Sequence, residues 1–148
     1  MQEKIYYLFV YGSLRKGFHN EVYQYIFHYF HFVGDATVDG ALYDLGPYPA
    51  AIPTADGAKI IGELYEIKNK DEYGYALAQL DDYEGVSPLE GEIKFYRREA
   101  VEVTVADHTI RAWIYWYNQS VEGYPLIASG DILQYMRDKV KNEVNELW

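Results

Sequence analysis

Ile5-Tyr6-Tyr7-Leu8-Phe9-Val10-Tyr11-Gly12-Ser13-Leu14-Arg15-Lys16-Gly17 opens the 148-residue chain with an apolar run that meets a glycine turn. The run of aromatic, aliphatic and β-branched residues up to Val10, bounded by Gly12, has the pattern of a strand buried on both faces. At Gly12 the missing Cβ lets the backbone turn and lets a second molecule approach the amide. Successive N–H groups in such a turn form a concave nest for an oxygen anion, and Arg15 and Lys16 add positive charge beside it. A plain turn with two solvated cations satisfies the same residues. The loop has neither the Walker spacing nor G-x-G-x-x-G, so nucleotide binding is not indicated.

Downstream of the turn, Val22, Ile26, Tyr29 and Val33 share a helix face, with Asn20 as N-cap. That helix is expected to stop near Tyr29, because Phe30 to Val38 alternates as a strand. His28 and His31 can share a face, but no carboxylate completes an evident ligand set, so no metal site is predicted. Gly34 to Gly46 reads as two strand segments hinged at Gly40. Pro47-Tyr48-Pro49-Ala50-Ala51-Ile52-Pro53 reads as irregular and rigid, since proline removes backbone donors. Ile60 to Ile67 alternates as another strand, with Ile61, Glu63, Tyr65 and Ile67 on one face.

Asn69-Lys70-Asp71 opens a second helix, expected to about Tyr83, on the stripe Tyr73, Leu77 and Leu80. The next position of that stripe is Glu84, and Gly85 ends the helix. A carboxylate therefore falls on the core-facing side of a helix end, unless the last turn frays and releases it to solvent. Asp81 and Asp82 lie off the stripe or at its margin, as solvated or hydrogen-bonded groups. After a loop from Val86 to Glu92, long strands from Phe95 to Val105 and from Thr109 to Asn118 turn at Ala106-Asp107-His108. The second carries apolar or aromatic residues on both faces and belongs in the middle of a sheet. A final helix starts at Asp131, with Gln134 in capping-box position and a stripe of Leu133, Met136, Val140, Val144 and Leu147.

The order β, α, several β, α, β-hairpin, α lacks regular βαβ alternation. It predicts an α+β fold with a small, strongly curved or barrel-like mixed sheet. No repeat, linker or low-complexity tract divides the chain, so residues 1–148 are expected to form one domain. Apolar residues at 49% and charged residues at 24% are ordinary for a folded domain with a sizeable core. The 17 tyrosines require hydroxyl partners wherever they are buried. A formal charge of -10 argues against nucleic acid and anionic membranes as partners. The lack of cysteine excludes disulfides, cysteine-ligated metals and thiol chemistry. Met1-Gln2-Glu3-Lys4 is too polar, and the apolar run after it too short, for a signal peptide or membrane span; a cytoplasmic protein is expected.

In order and spacing the chain resembles the γ-glutamylcyclotransferase-like, or AIG2-like, family. The resemblance rests on Val10-Tyr11-Gly12-Ser13-Leu14 with Gly17, Gly40-Ala41-Leu42-Tyr43-Asp44-Leu45-Gly46 with Tyr48-Pro49, and Gly62-Glu63-Leu64-Tyr65. It continues through Leu80-Asp81-Asp82-Tyr83-Glu84-Gly85, Tyr96-Arg97-Arg98, Ala112-Trp113-Ile114-Tyr115 and Ser129-Gly130-Asp131. It implies a small β-barrel flanked by helices, with a cavity between the Gly-containing loop and a carboxylate. It also implies release of 5-oxoproline from a small-molecule γ-glutamyl substrate, a γ-glutamylamine or γ-glutamyl peptide, without metal or organic cofactor. Glu84 stands where the family's catalytic Glu stands, and Tyr11-Gly12-Ser13-Leu14 corresponds to its substrate-holding loop. The segment from Val86 to Lys94 looks longer than in the family pattern, which leaves the identity of the substrate open, as is the oligomeric state. A non-catalytic small-molecule binding module on the same fold is the alternative.

The residues suit the implied chemistry. In cyclisation the substrate's own α-amine attacks its γ-carbonyl, so much of the entropic cost is already met. The ammonium must first lose a proton, and a carboxylate on an apolar stripe is expected to have its pKa raised toward neutrality by desolvation. Amide N–H groups of the Gly12 turn can hold substrate oxygens. Tyr115 is a further candidate for substrate contact if it faces the cavity; a packed core aromatic with its hydroxyl bonded elsewhere is the equal alternative.

Overall fold

The computed structural model describes residues 4–12, 21–86 and 92–146, with side chains at all of these except 21–23 and 141–146. The predicted contributions of Ser13, Leu14, Arg15, Lys16, Gly17, Asn20, Val22, Val144 and Leu147 lie outside that description, as does most of the loop after Val86.

Five strands close a barrel: β1 (Tyr7–Val10), β2 (Phe30–Asp39), β5 (Lys59–Ile67), β6 (Tyr96–Val105) and β7 (His108–Tyr117). Their order around it is β1-β5-β2-β6-β7. All neighbours are antiparallel except β1 and β7, which meet in parallel at Leu8 and Trp113, so the barrel is mixed. Closure makes β7 a central strand, as its two apolar faces predict. Three helices, α1 (Glu21–Tyr29), α2 (Tyr73–Glu84) and α3 (Ile132–Glu146), accompany it. A three-stranded sheet of β3 (Ala41–Asp44), β4 (Pro49–Ile52) and β8 (Leu126–Ile127) completes the architecture, with β3 in its centre.

The period-two alternation of the strands sorts the core into two sets. Phe9, Leu64, Val103, Ile114 and Trp116 point into one, which also receives Leu42, Ala51 and Ile127 from the small sheet and Ile132 from α3. Leu8, Val10, Tyr65 and Tyr115, from the intervening positions, point into the other, under Ile26 of α1 and Ala76 and Leu80 of α2. Gly62 of β5 lies tight against the end of β1. A Cβ there would lie 2.3 Å from the Val10 carbonyl oxygen and 2.6 Å from the Phe9 ring, so only glycine fits.

Four expectations need correction. Pro47 to Pro53 is not wholly irregular, because Pro49–Ile52 forms β4 against β3. Proline is compatible with a strand there because β4 is an edge and Pro49 is its first residue. Val33 does not join the α1 stripe. It is the extra residue of a β-bulge between Phe32 and Gly34 and is exposed. The α3 stripe does not bury Met136 and Val140, which are 45% and 59% exposed. Leu133 of the expected stripe does pack, joined by Ile132 and Tyr135, and the Tyr135 hydroxyl donates to Asp44 Oδ2 at 2.7 Å to tie α3 to β3. Asp131 does cap α3, accepting from the N–H of Leu133 at 3.0 Å and Gln134 at 3.4 Å. Its own N–H goes to Ser129 Oγ, so the reciprocal half of a capping box is made by serine rather than Gln134.

Candidate active site

The carboxylate is positioned by the way α2 ends. Asn69 accepts from the Asp71 N–H at 2.9 Å and starts a 3-10 turn, Lys70–Glu72, that leads into α2. Ala76, Leu77 and Leu80 are its buried residues. At the other end Gly85 adopts φ 71°, the Gly85 N–H donates to Asp82 O at 3.2 Å and the Val86 N–H to Asp81 O at 3.0 Å. This is a Schellman termination, which only a residue at ease in the left-handed region makes without strain. Glu84 is therefore held as the last helical residue and does not fray.

Asp81, one turn earlier, takes the hydrogen-bonded of its two expected states and acts as a clamp. Arg98 of β6 holds it in a fork, Nε to Oδ1 at 2.7 Å and Nη2 to Oδ2 at 3.1 Å. The Tyr115 hydroxyl donates to the same Oδ1 at 2.7 Å. Arg98 also lies over the Trp113 ring, 4.1 Å from its centroid, and Trp113 Nε1 donates to the Tyr73 hydroxyl at 2.9 Å. Both ends of α2 are thus pinned to the barrel through β7 side chains. The ion pair is bidentate and mostly shielded, with 21% and 23% side-chain exposure, a geometry stronger than the ~0–1 kcal/mol of an open surface pair. Sequence reasoning did not assign this role, although Asp81 and Arg98 both stood in the segments that carried the resemblance.

Glu84 lines a cavity of about 410 Å³. Facing it from the end of β1 are Phe9, Val10, Tyr11 and Gly12, and from the small sheet Tyr48 and Pro49. Tyr83, Phe95, Tyr96 and Tyr115 line the same space. Burial pushes the Glu84 carboxyl up from 4.5 to about 7, as expected for a carboxylate moved out of water. Burial likewise raises Tyr11, Tyr96 and Tyr115, and each is raised further by the charge of Glu84.

Of the predicted site residues, Glu84, Tyr11, Gly12 and Tyr115 meet at this one cavity, while Ser13 and Leu14 lie outside the described residues. Gly12 does not have a positive φ; an added Cβ there would lie 3.3 Å from Pro49 Cγ, a tight contact that narrows the space between the β1 turn and the small sheet. Tyr11 is buried and its hydroxyl donates to the Tyr115 carbonyl, locking the end of β1 to β7. Tyr115 brings its ring to the cavity, but its hydroxyl is engaged by Asp81 rather than by Glu84. Glu63 was missed. It is 1% exposed, lies opposite Val10 in the β1–β5 ladder and accepts from the Tyr65 hydroxyl at 2.9 Å. Its signal in the sequence was a lone carboxylate on the otherwise apolar face of Ile61, Tyr65 and Ile67. The two histidines are separate: His28 packs edge-on to Tyr29, and His31 pairs with Glu66 at 3.1 Å.

A small mixed barrel with a desolvated carboxylate at the end of its second helix defines a class that comparison with known proteins identifies. Residues 8–134 match the family described as gamma-glutamyl cyclotransferase, AIG2-like. The chain belongs to this family. It is 35% identical over 133 residues to the gamma-glutamylcyclotransferase family protein YtfP of Escherichia coli K12, covering 89% of this chain and 98% of that one. The solution structure of ytfP from Escherichia coli superposes with a TM-score of 0.58 at 34% identity, over 84% of this chain and 94% of the other. A mouse aig2-like protein shares the fold, with a TM-score of 0.65 at 22% identity over 87% and 90% of the two chains. Among the described residues no helix is long and apolar enough to cross a membrane.

Proposed function

We propose that this protein is a γ-glutamyl cyclotransferase, a single domain over residues 1–148, that releases 5-oxoproline from a γ-glutamylamine or γ-glutamyl peptide. The observation that carries the proposal is Glu84, a carboxyl desolvated to a pKa of about 7 in the same cavity as the Gly12 turn. A base of that pKa is half ionised near neutrality, where proton transfer in both directions is efficient. In the first step the Glu84 carboxylate takes a proton from the substrate's α-ammonium. The freed amine attacks the γ-carbonyl carbon, the new C–N bond closes the five-membered ring, and the carbonyl oxygen becomes an oxyanion. Amide N–H groups at Gly12, with Ser13 and Leu14 in the role their place after it implies, hold that oxygen or the α-carboxylate. Protonated Glu84 then gives its proton to the leaving nitrogen, the old C–N bond breaks with its electron pair going to the departing amine, the oxyanion collapses to the carbonyl, and the ring nitrogen gives its second proton to the regenerated Glu84 carboxylate, which passes it to the departing amine to leave the neutral lactam. Tyr11 and the ring of Tyr115 serve as walls that exclude water and keep the site dry.

The test is 5-oxoproline release, followed by mass spectrometry, from γ-glutamyl amides and peptides with wild-type protein and Glu84→Gln. The reading expects turnover by the wild type and a loss of about 10²-fold or more in the variant. Near wild-type turnover in Glu84→Gln would remove Glu84 as the acid/base. Failure of the wild type to release 5-oxoproline from any γ-glutamyl compound would overturn the cyclotransferase reading.

A further inference from the structure

The barrel wall is not sealed evenly. β6 pairs with β7 over its whole length, Tyr96–Val105, but it meets β2 on its other side only through Val105 with Ala36 and Thr104 with Thr37. β2 continues past those two pairs to Asp39 beside β5. Among the described residues no strand pairs with residues 96–102 on the side away from β7. Alternate residues of an antiparallel strand turn their N–H and C=O away from the paired neighbour, so this part of β6 presents an open hydrogen-bonding edge. A cavity of about 520 Å³ runs along it. Residues 97 and 99–102 of β6 line it together with Val38 and Asp39 of β2, Pro53, Thr54 and Trp116, and it shares no lining residue with the Glu84 cavity. Trp116 and Val38, each 3% exposed, belong to its apolar part. The Thr54 hydroxyl oxygen is buried without a hydrogen bond; it helps the Ala58 N–H hold the Asp56 carboxyl below its usual value, but without hydrogen-bond geometry.

We infer that this slot is a docking site for an extended, basic peptide segment, which adds a strand to the open edge of β6. A free strand edge recognises any extended backbone, and a pocket beside it selects alternate side chains of the guest. Here the pocket is Trp116, Val38 and Val101, which suits a row of small apolar side chains on one face of the guest. Thr54 adds a hydrogen-bonding group that the fold leaves unused. The sign of the guest's charge follows from the lining, where the carboxylates of Asp39, Glu99 and Glu102 outnumber the guanidinium of Arg97. Arg97 pairs with Glu99 at 2.6 Å, Asp39 with Lys59, and Arg111 stands opposite Glu102 on β7. Near charges are thus largely matched, and the -10 of the whole chain sets the wider field, which draws cations. A second copy of the barrel is a poor guest. The end of β2 and the Pro53-Thr54 corner share the slot with the edge, so it admits a single chain with both edges free rather than the wall of another barrel.

The probe is the peptide acetyl-Lys-Val-Thr-Val-Thr-Val-Lys-amide. Beside it stand a version with Glu for Lys and two backbone-methylated versions, one N-methylated at the valines and one at the threonines. Fluorescence anisotropy of labelled peptides reads affinity for the intact protein, and amide hydrogen exchange reads the place of binding. The basic peptide is expected to slow exchange within residues 96–102 and to bind about tenfold or more tightly than the acidic one. At least one methylated form should lose about tenfold or more, the effect of removing a few main-chain hydrogen bonds. Glu102→Lys, outside the catalytic cavity, should narrow the basic-over-acidic ratio by about threefold or more, with melting temperature and 5-oxoproline release unchanged. No saturable binding of the basic peptide, binding without protection of β6, or full affinity in both methylated forms overturns strand addition. Equal affinity for the acidic peptide, or a ratio unmoved by Glu102→Lys, overturns the charge selection. Protection of the β6 edge without peptide, together with a dimer in sedimentation, would assign the edge to a second copy and overturn the proposal too.

Discussion

Glu84→Gln is expected to make the protein more stable at alkaline pH while leaving its stability at acid pH unchanged. The Glu84 carboxyl holds its proton up to about pH 7 in the folded protein, against an ordinary value of 4.5. Between those two values the folded state binds a proton that the unfolded state has released. Stability contributed by this group is therefore complete below about pH 4.5 and is lost as pH rises to 7 and beyond. At about 1.4 kcal/mol for each pH unit of that window, the full loss is about 3.4 kcal/mol. Glu84 is partly open to solvent, so water screens some of it, and about 2 kcal/mol is the working figure. Glutamine keeps the size and the amide's hydrogen bonds but never ionises. The variant should melt about 4–8 °C above wild type at pH 8.5 and within about 1 °C of it at pH 4.5. Melting curves of both proteins at the two pH values give the answer, because carboxylates elsewhere titrate alike in both and cancel in the difference. An equal offset at both pH values, or a variant less stable than wild type at pH 8.5, would refute the claim that Glu84 is a desolvated carboxyl.

The same titration should appear in catalysis: kcat/KM is expected to rise with pH through a midpoint near 7, as Glu84 becomes the carboxylate that can accept a proton; a rate flat from pH 5 to pH 8 would count against it as the base. Tyr115→Phe removes a hydroxyl that is tied to Asp81, so we expect a stability loss of about 1 kcal/mol with kcat/KM within about threefold. A loss above about 30-fold at unchanged melting temperature would instead assign that hydroxyl to the substrate. Asp81→Asn also weakens the Arg98 fork and should cost more, about 2 kcal/mol by urea denaturation; a cost no larger than that of Tyr115→Phe would show that the fork contributes nothing. Gly12→Val puts a branched side chain against Pro49 Cγ, already 3.3 Å from a Cβ, and is expected to weaken 5-oxoproline binding about tenfold or more, beyond what its stability cost of about 1 kcal/mol explains. Wild-type affinity in that variant would mean that the turn is not part of the site.

Local pattern alone was enough for the elements nearest the candidate site. The stripe Tyr73, Leu77, Leu80 with Gly85 behind it is a helix and its stop, because side-chain periodicity and the left-handed tolerance of glycine act within a few residues. That local chemistry also set Glu84 at the helix end, where the Schellman turn keeps it. The lack of βαβ alternation, likewise visible along the chain, excluded a doubly wound sheet. The need of buried tyrosines for partners was legible too. Tyr25 donates to the Ala76 carbonyl, Tyr65 to Glu63 and Tyr135 to Asp44, but which partner each took was not.

Pairing and burial came only with the tertiary structure, because they are decided between residues far apart in the chain. Strand β4 exists because β3 offers its edge to Pro49–Ile52, and local proline chemistry pointed the other way. Met136 and Val140 follow the same apolar period as the buried stripe of α2, yet they stay exposed, since periodicity marks a face and not what lies opposite. Asp81 read as a marginal acid until Arg98 and Tyr115, 17 and 34 residues away, closed on it. The raised pKa of Glu84 was expected from its place on the apolar stripe, but the walls that cause it came with the tertiary structure. The sequence by itself determined that a carboxylate ends the second helix on its apolar stripe; barrel closure, which brings the β1 turn, Tyr48, Tyr96 and Tyr115 around that carboxylate, decided how far it is withdrawn from water. Helix ends are set by interactions within a turn, whereas desolvation is a sum over every wall of a cavity, and those walls come from five separate parts of the chain.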